Sequence, residues 1–122
     1  MATFKRFEDI QAWQKARGVT KKIFVVTNEQ QFAKDFTLKD QIKRSAISIM
    51  ANIAEGFGRR TRTEFAHFLN IARGSATETQ SHLYVALDLN YLKQCEFDEI
   101  YRMLEEISKM TVVLAKYLRG AN

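Results

Sequence analysis

The sequence contains no proline in 122 residues, and this absence constrains the fold more than any single motif. Proline fixes a backbone dihedral and removes an amide donor, so it ends or kinks helices. Without proline, only capping residues and glycines set the limits of a helix. The sequence therefore favours long, uninterrupted helices.

Apolar residues recur at three- and four-residue steps in four segments, which is the spacing of one buried stripe on a helix. No alternating strand pattern competes, and Phe32 and Phe36 are expected to anchor the loop after the first helix into the core. Four such helices pack most simply as an all-α, up-down antiparallel four-helix bundle, and residues 1–122 suffice for one domain. The predicted helices span approximately residues 7–27, 38–55, 62–90 and 97–119.

Local signals predict where the helices begin and end. Thr37 can cap the second helix with its hydroxyl, and residues 61–64, Thr-Arg-Thr-Glu, match a capping box for the third. Gly56 is placed to adopt the left-handed conformation that ends a helix, and Asn90 is predicted to end the third helix. Gly74 interrupts that helix at a cost of about 1 kcal/mol, often tolerated because another backbone comes close.

The second helix is apolar over more than half of its circumference, and the fourth has a second apolar row. A helix with so wide an apolar arc is central or faces another subunit, and a four-helix bundle has no central helix. We therefore expect a homo-oligomer, with packing beneath the loops as the alternative. The candidate interface residues are Ile47, Met50, Ala51, Ala54, Met103, Met110, Val113 and Tyr117.

Polar residues form a separate stripe on the second helix, within about 80° of one another on a 3.6-residue repeat. One interpretation is a seam of hydrogen bonds between helices, and the other is a contact surface for a ligand. No common cofactor needs such a set of groups, so none is expected. The stripe comprises Gln41, Ser45, Ser48, Asn52 and Glu55.

The residues that carry chemistry are sparse. His67 and His82 lie about 22 Å apart along one helix, so they cannot share a metal within the chain. Glu64 and His67 lie one helical turn apart, but an isolated Glu–His pair on a solvent-exposed helix face is more often a solvated contact than a functional site. The single cysteine, Cys95, excludes an intrachain disulfide and has no nearby histidine in sequence to activate it. The sequence predicts neither a metal site nor an enzyme.

The net charge of +5 is unevenly spread along the chain. Residues 1–27 hold six Lys or Arg against two acids, and residues 38–62 also hold six against two. A basic surface attracts anionic partners, of which nucleic acid is the usual one, although many basic proteins bind none. The third helix could hold a phosphate through its free amides and through Arg59, Arg60 and Arg62, or this stretch could be a solvated turn.

No apolar run approaches the ~20 residues that span a bilayer. The opening residues, MATFKRFEDI, lack the apolar core of a signal peptide. A cytoplasmic protein is expected.

The stretch QIKRSAISIMANIAEGFGRRTRTEFAHFLNIARGSATE, residues 41–78, resembles a bacterial four-helix bundle family, the 23S rRNA intervening-sequence proteins. Its specific part is Asn-Ile-Ala-Glu-Gly at 52–56 followed by Gly58 and Arg59, and FEDIQAWQKA at 7–16 also resembles the family's first helix. Met50 stands where the family commonly has proline, and Asn90 stands where glycine is usual.

The resemblance implies a ring-shaped homo-oligomer, most often a pentamer, with no known enzymatic activity. Such proteins are similar to the accessory variability determinant of diversity-generating retroelements, a basic pentameric barrel that helps a reverse transcriptase handle RNA. The expected function is non-catalytic binding of structured or ribosomal RNA through phosphates. The alternative is a protein-interaction adaptor or scaffold ring that binds an RNA-handling protein. The residues implied for the basic surface are Lys43, Arg44, Arg59, Arg60, Arg62 and Arg73.

Overall fold

The computed structural model describes residues 4–120, and it confirms the all-helical prediction, with no strand in that range. Four of its helices are long and one is a short helix of five residues. In chain order the elements are a 3-10 turn at Phe7–Asp9, then α1 (Gln11–Val26), α2 (Gln30–Lys34), α3 (Phe36–Phe57), α4 (Arg62–Asp88) and α5 (Gln94–Leu118).

The four long helices surround one core. Helices α1 and α4 each pack against both α3 and α5, so successive long helices are neighbours in a square arrangement. Short connections reverse the chain each time, which places the start of α4 beside the end of α5. Branched aliphatic side chains dominate the centre because their stripes meet there. The largest fully buried side chains are Phe32, Ile10, Ile23, Ile42, Ile49, Ile53, Leu69, Leu83, Ile100, Leu104, Ile107 and Val19.

The first predicted helix is shorter than its apolar pattern suggests. Residues 7–9 form a 3-10 turn, and Ile10 has extended backbone angles (φ −77°, ψ 118°) before α1 starts. The segment 28–36, expected to be a loop, contains α2. Phe32 is buried there as expected, but the expectation for Phe36 is wrong, because its side chain is 77% exposed at the start of α3.

Two further helix starts differ from the prediction. Asp35, and not Thr37, caps α3, since its Oδ1 accepts a hydrogen bond from the Leu38 amide at 3.1 Å. Helix α5 begins at Gln94, three residues early, so Cys95 lies exposed in a first helical turn and not in a loop. The Thr61 cap is confirmed, because its Oγ1 accepts from the Glu64 amide at 3.1 Å.

The glycines have roles other than those predicted. Gly56 is buried inside α3, where a Cβ would lie 2.7 Å from Cβ of Phe68, so this glycine permits close contact between α3 and α4. Gly58 follows the helix in a right-handed conformation (φ −78°). Asn90 adopts the left-handed conformation (φ 62°), which asparagine tolerates better than most other residues with a side chain. Within residues 4–120, a Cβ at Gly74 would have no atom within 4 Å apart from its chain neighbours and its own helix backbone, so no other described helix approaches it.

Candidate nucleic-acid interface

The antiparallel topology sorts the charges toward one end of the bundle. The half that contains the start of α1, the α3–α4 turn and the end of α5 carries eleven Lys or Arg and four Asp or Glu, a net +7. The other half carries eight and ten, a net −2. We call the first the basic half; it comprises residues 4–18, 47–74 and 107–120, and the other half comprises 19–46 and 75–106.

Arg62 is engaged within the protein at the end of the basic half. Its Nε donates a hydrogen bond to the Leu118 carbonyl at 3.1 Å and its Nη2 to the Tyr117 carbonyl at 3.0 Å. Its guanidinium also lies 4.9 Å from the centroid of the Tyr117 ring. The last carbonyls of a helix lack helical partners and carry its negative dipole end. Arg62 therefore ties the start of α4 to the end of α5.

The neighbouring cations differ in how far they are engaged. Arg59 forms an ion pair with Glu55 at 3.1 Å and lies 4.6 Å from the centroid of the Phe68 ring. Arg60, Lys116 and Arg119 are exposed, and within residues 4–120 none of them makes an ion pair within 4 Å. We define the basic end as Arg59, Arg60, Lys116 and Arg119.

Lys116 and Arg119 do not appear in the sequence prediction, although the sequence contains a signal for them. In an up-down bundle, the last turn of the fourth helix must lie beside the turn between the second and third. Any cation in that last turn therefore adds to the charge of Arg59 and Arg60, despite a separation of more than fifty residues in the chain.

The other predicted cations lie away from the basic end. Lys43 and Arg44 are on α3 in the opposite half, where the Lys43 Nζ lies 4.5 Å from the Phe24 ring centroid. Arg44 is ion-paired with Asp40 at 2.8 Å. Arg73 is on α4 and faces a groove against α5. The six predicted cations thus do not share one surface.

The start of α4 is poorly suited to bind a phosphate through its amides. The Glu64 amide is already bonded to the Thr61 hydroxyl, and that hydroxyl donates to the Glu64 carboxylate at 3.0 Å. An acid in the first turn occupies the position that an anion would take. The phosphate-cradle interpretation of this turn therefore has little geometric support.

Two of the five polar-stripe residues, Ser45 and Ser48, bond to side chains of α4, and a third, Asn52, bonds to Ser48. The Ser48 and Ser75 hydroxyls are 2.9 Å apart, and Thr79 Oγ1 donates to Ser45 Oγ at 2.8 Å. Asn52 Nδ2 donates to the carbonyl of Ser48 at 2.8 Å. No buried side-chain polar atom in the described part of the chain lacks a partner. These contacts form a hydrogen-bonded seam and leave no free buried group for a ligand.

Two members of the predicted stripe lie outside this seam. Gln41 is exposed, and Glu55 pairs with Arg59 at the protein surface.

Two of the comparisons with known proteins gave matches. The sequence profile described as 23S rRNA-intervening sequence protein matches residues 8–113. The chain belongs to this family. A crystal structure of a protein of unknown function from the S23 ribosomal protein family of Bacteroides thetaiotaomicron is similar, with a TM-score of 0.79 and 29% identity. The similarity covers 86% of this chain and 98% of that one. Comparison with curated proteins found no match. The likeness to the retroelement subunit stays a prediction.

In this member of the 23S rRNA-intervening sequence family, the residues that carry the family resemblance stabilise the fold. Asn52 and Ser75 belong to the seam, and Gly56 permits the contact with Phe68. These residues fix how α3 meets α4, so they explain a shared fold. Among the exposed cations that could bind an anion, Arg44 and Arg59 belong to the family pattern, and Arg60, Lys116 and Arg119 do not.

The candidate oligomer interface of this family member is only partly exposed. Met50, Met103 and Met110 pack against the core of the chain, and Ala54 is half-buried. Ile47, Ala51, Val113 and Tyr117 are exposed, Val113 by 63%. The exposed apolar residues that the sequence prediction omitted include Ile71 and Val85 on α4 and Leu89 just after it.

Residues 4–120 contain no group of three or more His, Cys, Asp or Glu side chains that could hold a metal ion. His82 Nε2 lies 3.3 Å from Glu78 Oε2, and this is an isolated surface pair. None of the helices in the described range has the length and apolar character needed to cross a membrane.

Proposed function

We propose that this chain is a non-catalytic, cytoplasmic, homo-oligomeric bundle protein that binds structured RNA, ribosomal RNA in particular, through phosphate contacts at its basic end. The observation that carries the proposal is the concentration of a net +7 in one half of the bundle. Membership of a family described by the 23S rRNA intervening sequence supports RNA as the anion.

We place the RNA contacts at the basic end because most of its cations are free to bind a phosphate. A cation that already pairs with a carboxylate gains less from a phosphate, because the first pair must be broken. Arg60, Lys116 and Arg119 have no such partner in the described range. Phosphate contacts position a protein on a nucleic acid without reading its bases, so we expect little base preference.

Self-association would multiply this charge. A ring, for which the family resemblance implies a pentamer, would present several basic ends to one RNA and raise the overall affinity without new contacts. The exposed apolar residues on the outer faces of α3 and α4 support such a contact between subunits.

The experiment compares the binding of a 23S rRNA hairpin to the full chain and to the triple variant Arg60→Ala, Lys116→Ala, Arg119→Ala. The dependence of log affinity on log salt should become shallower by about 3, one for each lost phosphate contact, if all three cations bind. The matched control is Lys21→Ala, Lys34→Ala, Arg102→Ala, which removes from the opposite half three exposed cations that form no ion pair within residues 4–120. An equal loss in both variants, or no binding by the wild type at ~50 mM salt, would contradict the proposal.

Light scattering on the same samples tests the oligomeric part. A mass of 14.2 kDa at micromolar concentration would mean a monomer and would remove the ring from the proposal.

A further inference from the structure

A groove between α4 and α5 lies apart from the basic end. It has a volume of about 250 Å³ and is open to solvent. Cavities that enclose drug-sized ligands measure roughly 300–1,000 Å³, so this groove is too small and too open for an enclosed metabolite. The groove suits a polymeric ligand that lies across it. Its lining residues are Arg73, Thr77, Gln80, Glu105, Ser108 and Lys109.

The charged residues of the groove are not engaged with one another. Arg73 comes from α4, while Glu105 and Lys109 come from α5 and are one turn apart. Within residues 4–120 none of the three forms an ion pair within 4 Å. Two cations on facing helices therefore remain available for one anion, with a hydrogen-bond acceptor beside them.

An aromatic cluster continues the groove toward the opposite half of the bundle. Gln80, a lining residue, donates from Nε2 to the Tyr101 carbonyl at 3.5 Å. One turn further along α4, the Tyr84 ring centroid lies 5.7 Å from that of Tyr101 and 5.0 Å from that of Phe97. Tyr84 is 49% exposed, and its ring meets those of Phe97 and Tyr101 at interplanar angles of 59° and 75°, so part of the ring is open to solvent.

The spacing of these features suits a polymer with alternating phosphates and flat bases. From Arg73 to Tyr84 the helix rises about 16 Å, which is the length of a few extended nucleotides. Proteins that bind single-stranded nucleic acid combine a positive groove for the backbone with aromatic side chains on which bases stack. A double helix offers its phosphates but not its base faces, so Tyr84 would have no role with a duplex.

We propose that the α4–α5 groove binds a short single-stranded segment of RNA, in addition to the phosphate contacts of the basic end; this inference rests on the proposed function. Arg73 and Lys109 hold a phosphate, and an unstacked base lies on Tyr84. Glu105 repels phosphate and accepts a hydrogen bond from a ribose 2′-hydroxyl. Because DNA lacks that hydroxyl, the groove favours RNA over DNA.

The test measures the binding of a fluorescent oligoadenylate to the full chain by anisotropy, beside DNA of the same sequence. Tyr84→Ala should weaken binding of the oligoadenylate by about 5- to 150-fold, the range for loss of one base–aromatic stack. Tyr84→Phe keeps the ring and should retain wild-type affinity, which also controls for folding. Arg73→Ala with Lys109→Ala should reduce the salt slope by about 0.7, the value for the one phosphate of a single strand that the two cations hold. Glu105→Gln should diminish the preference for RNA.

The outcomes separate this inference from the proposed function. Binding of the rRNA hairpin with no effect of Tyr84→Ala on oligoadenylate, or with no oligoadenylate binding, overturns the groove alone. Oligoadenylate binding that depends on Tyr84, without binding of the hairpin, overturns the basic end alone. An equal loss in Tyr84→Phe and Tyr84→Ala would mean that the hydroxyl, and not the stack, is required, and would overturn the stacking role.

Discussion

The two ends of the bundle are closed by different chemistry. At the basic end, Arg62 binds the last carbonyls of α5, so a cation joins a turn to a helix terminus. At the opposite end, Asp35 caps α3 and accepts a hydrogen bond from the Tyr91 hydroxyl at 2.8 Å. Phe32 stacks on the Tyr91 ring with their centroids 5.2 Å apart. There, a carboxylate and an aromatic pair hold the α4–α5 turn.

This difference shows that some cations are used to hold the fold together, while others remain free to bind a partner. The sequence places Arg59, Arg60 and Arg62 within four residues, and all three resemble an anion site. In the structure, Arg62 bonds to the last carbonyls of α5 and Arg59 pairs with Glu55. Of these three arginines, Arg60 is therefore the most available to bind an anion. Counting cations therefore overestimates what the basic end can offer to a partner, while Lys116 and Arg119 restore part of that charge.

The largest expected effect concerns the close contact between Gly56 on α3 and Phe68 on α4. Gly56→Ala would place a Cβ 2.7 Å from Phe68 Cβ and 3.2 Å from the Phe65 carbonyl oxygen. Because helix α3 must then move away from α4, we expect the free energy of unfolding in urea to fall by about 1–3 kcal/mol or more. In the matched variant Gly74→Ala, the new Cβ meets no atom of another helix within residues 4–120, and the free energy of unfolding should rise by up to about 1 kcal/mol. A destabilising Gly74→Ala would indicate that a neighbouring subunit packs on that residue.

A smaller effect distinguishes Arg62 from Arg60. Arg62→Lys keeps the charge but cannot donate to two carbonyls and stack on Tyr117 at once. The free energy of unfolding should fall by about 1 kcal/mol, while the salt dependence of RNA binding stays close to that of the wild type. Arg60→Ala should make the salt dependence of RNA binding shallower, while its free energy of unfolding stays within about 0.5 kcal/mol of the wild type. Equal loss of RNA binding in both variants would show that Arg62 also contacts the ligand.

The smallest expected effect is at the opposite end and depends on pH. The hydrogen bond to Asp35 is the main cause that raises the pKa of Tyr91 above its ordinary value. A folded protein that holds this proton more tightly is stabilised at neutral pH and loses the contribution as pH rises through the raised pKa. Tyr91→Phe should therefore be less stable than the wild type at pH 7, and the difference should shrink above pH ~10. A difference that does not change with pH would contradict the role of this hydrogen bond.

The long helices are predictable from the sequence because their signals are local. A 3.6-residue apolar period and a threonine three residues before a glutamate need no knowledge of the rest of the chain. The α2 helix, with only five residues, is too short to show a period. The wrong predictions for Phe36 and Gly56 share one cause, since both depend on which helix lies opposite.

The candidate site is less predictable, for the same reason. The role of Arg62 depends on where α5 ends, and the α4–α5 groove depends on pairing Arg73 with Lys109, 36 residues away. The seam between α3 and α4 could be expected, because Ser45, Ser48 and Asn52 recur at helical spacing. Their partners on α4, Ser75 and Thr79, could not be identified until the two helices were in register.

The separation of charge along the bundle gives the protein an electric dipole parallel to its long axis. Near a polyanion, the field exerts a torque that turns the positive pole forward before any contact forms. This alignment acts over roughly the ~8 Å screening length at physiological ionic strength, so added salt shortens the range in which it can operate. The rate of encounter should therefore depend on orientation as well as on diffusion, with end-first collisions being the productive ones.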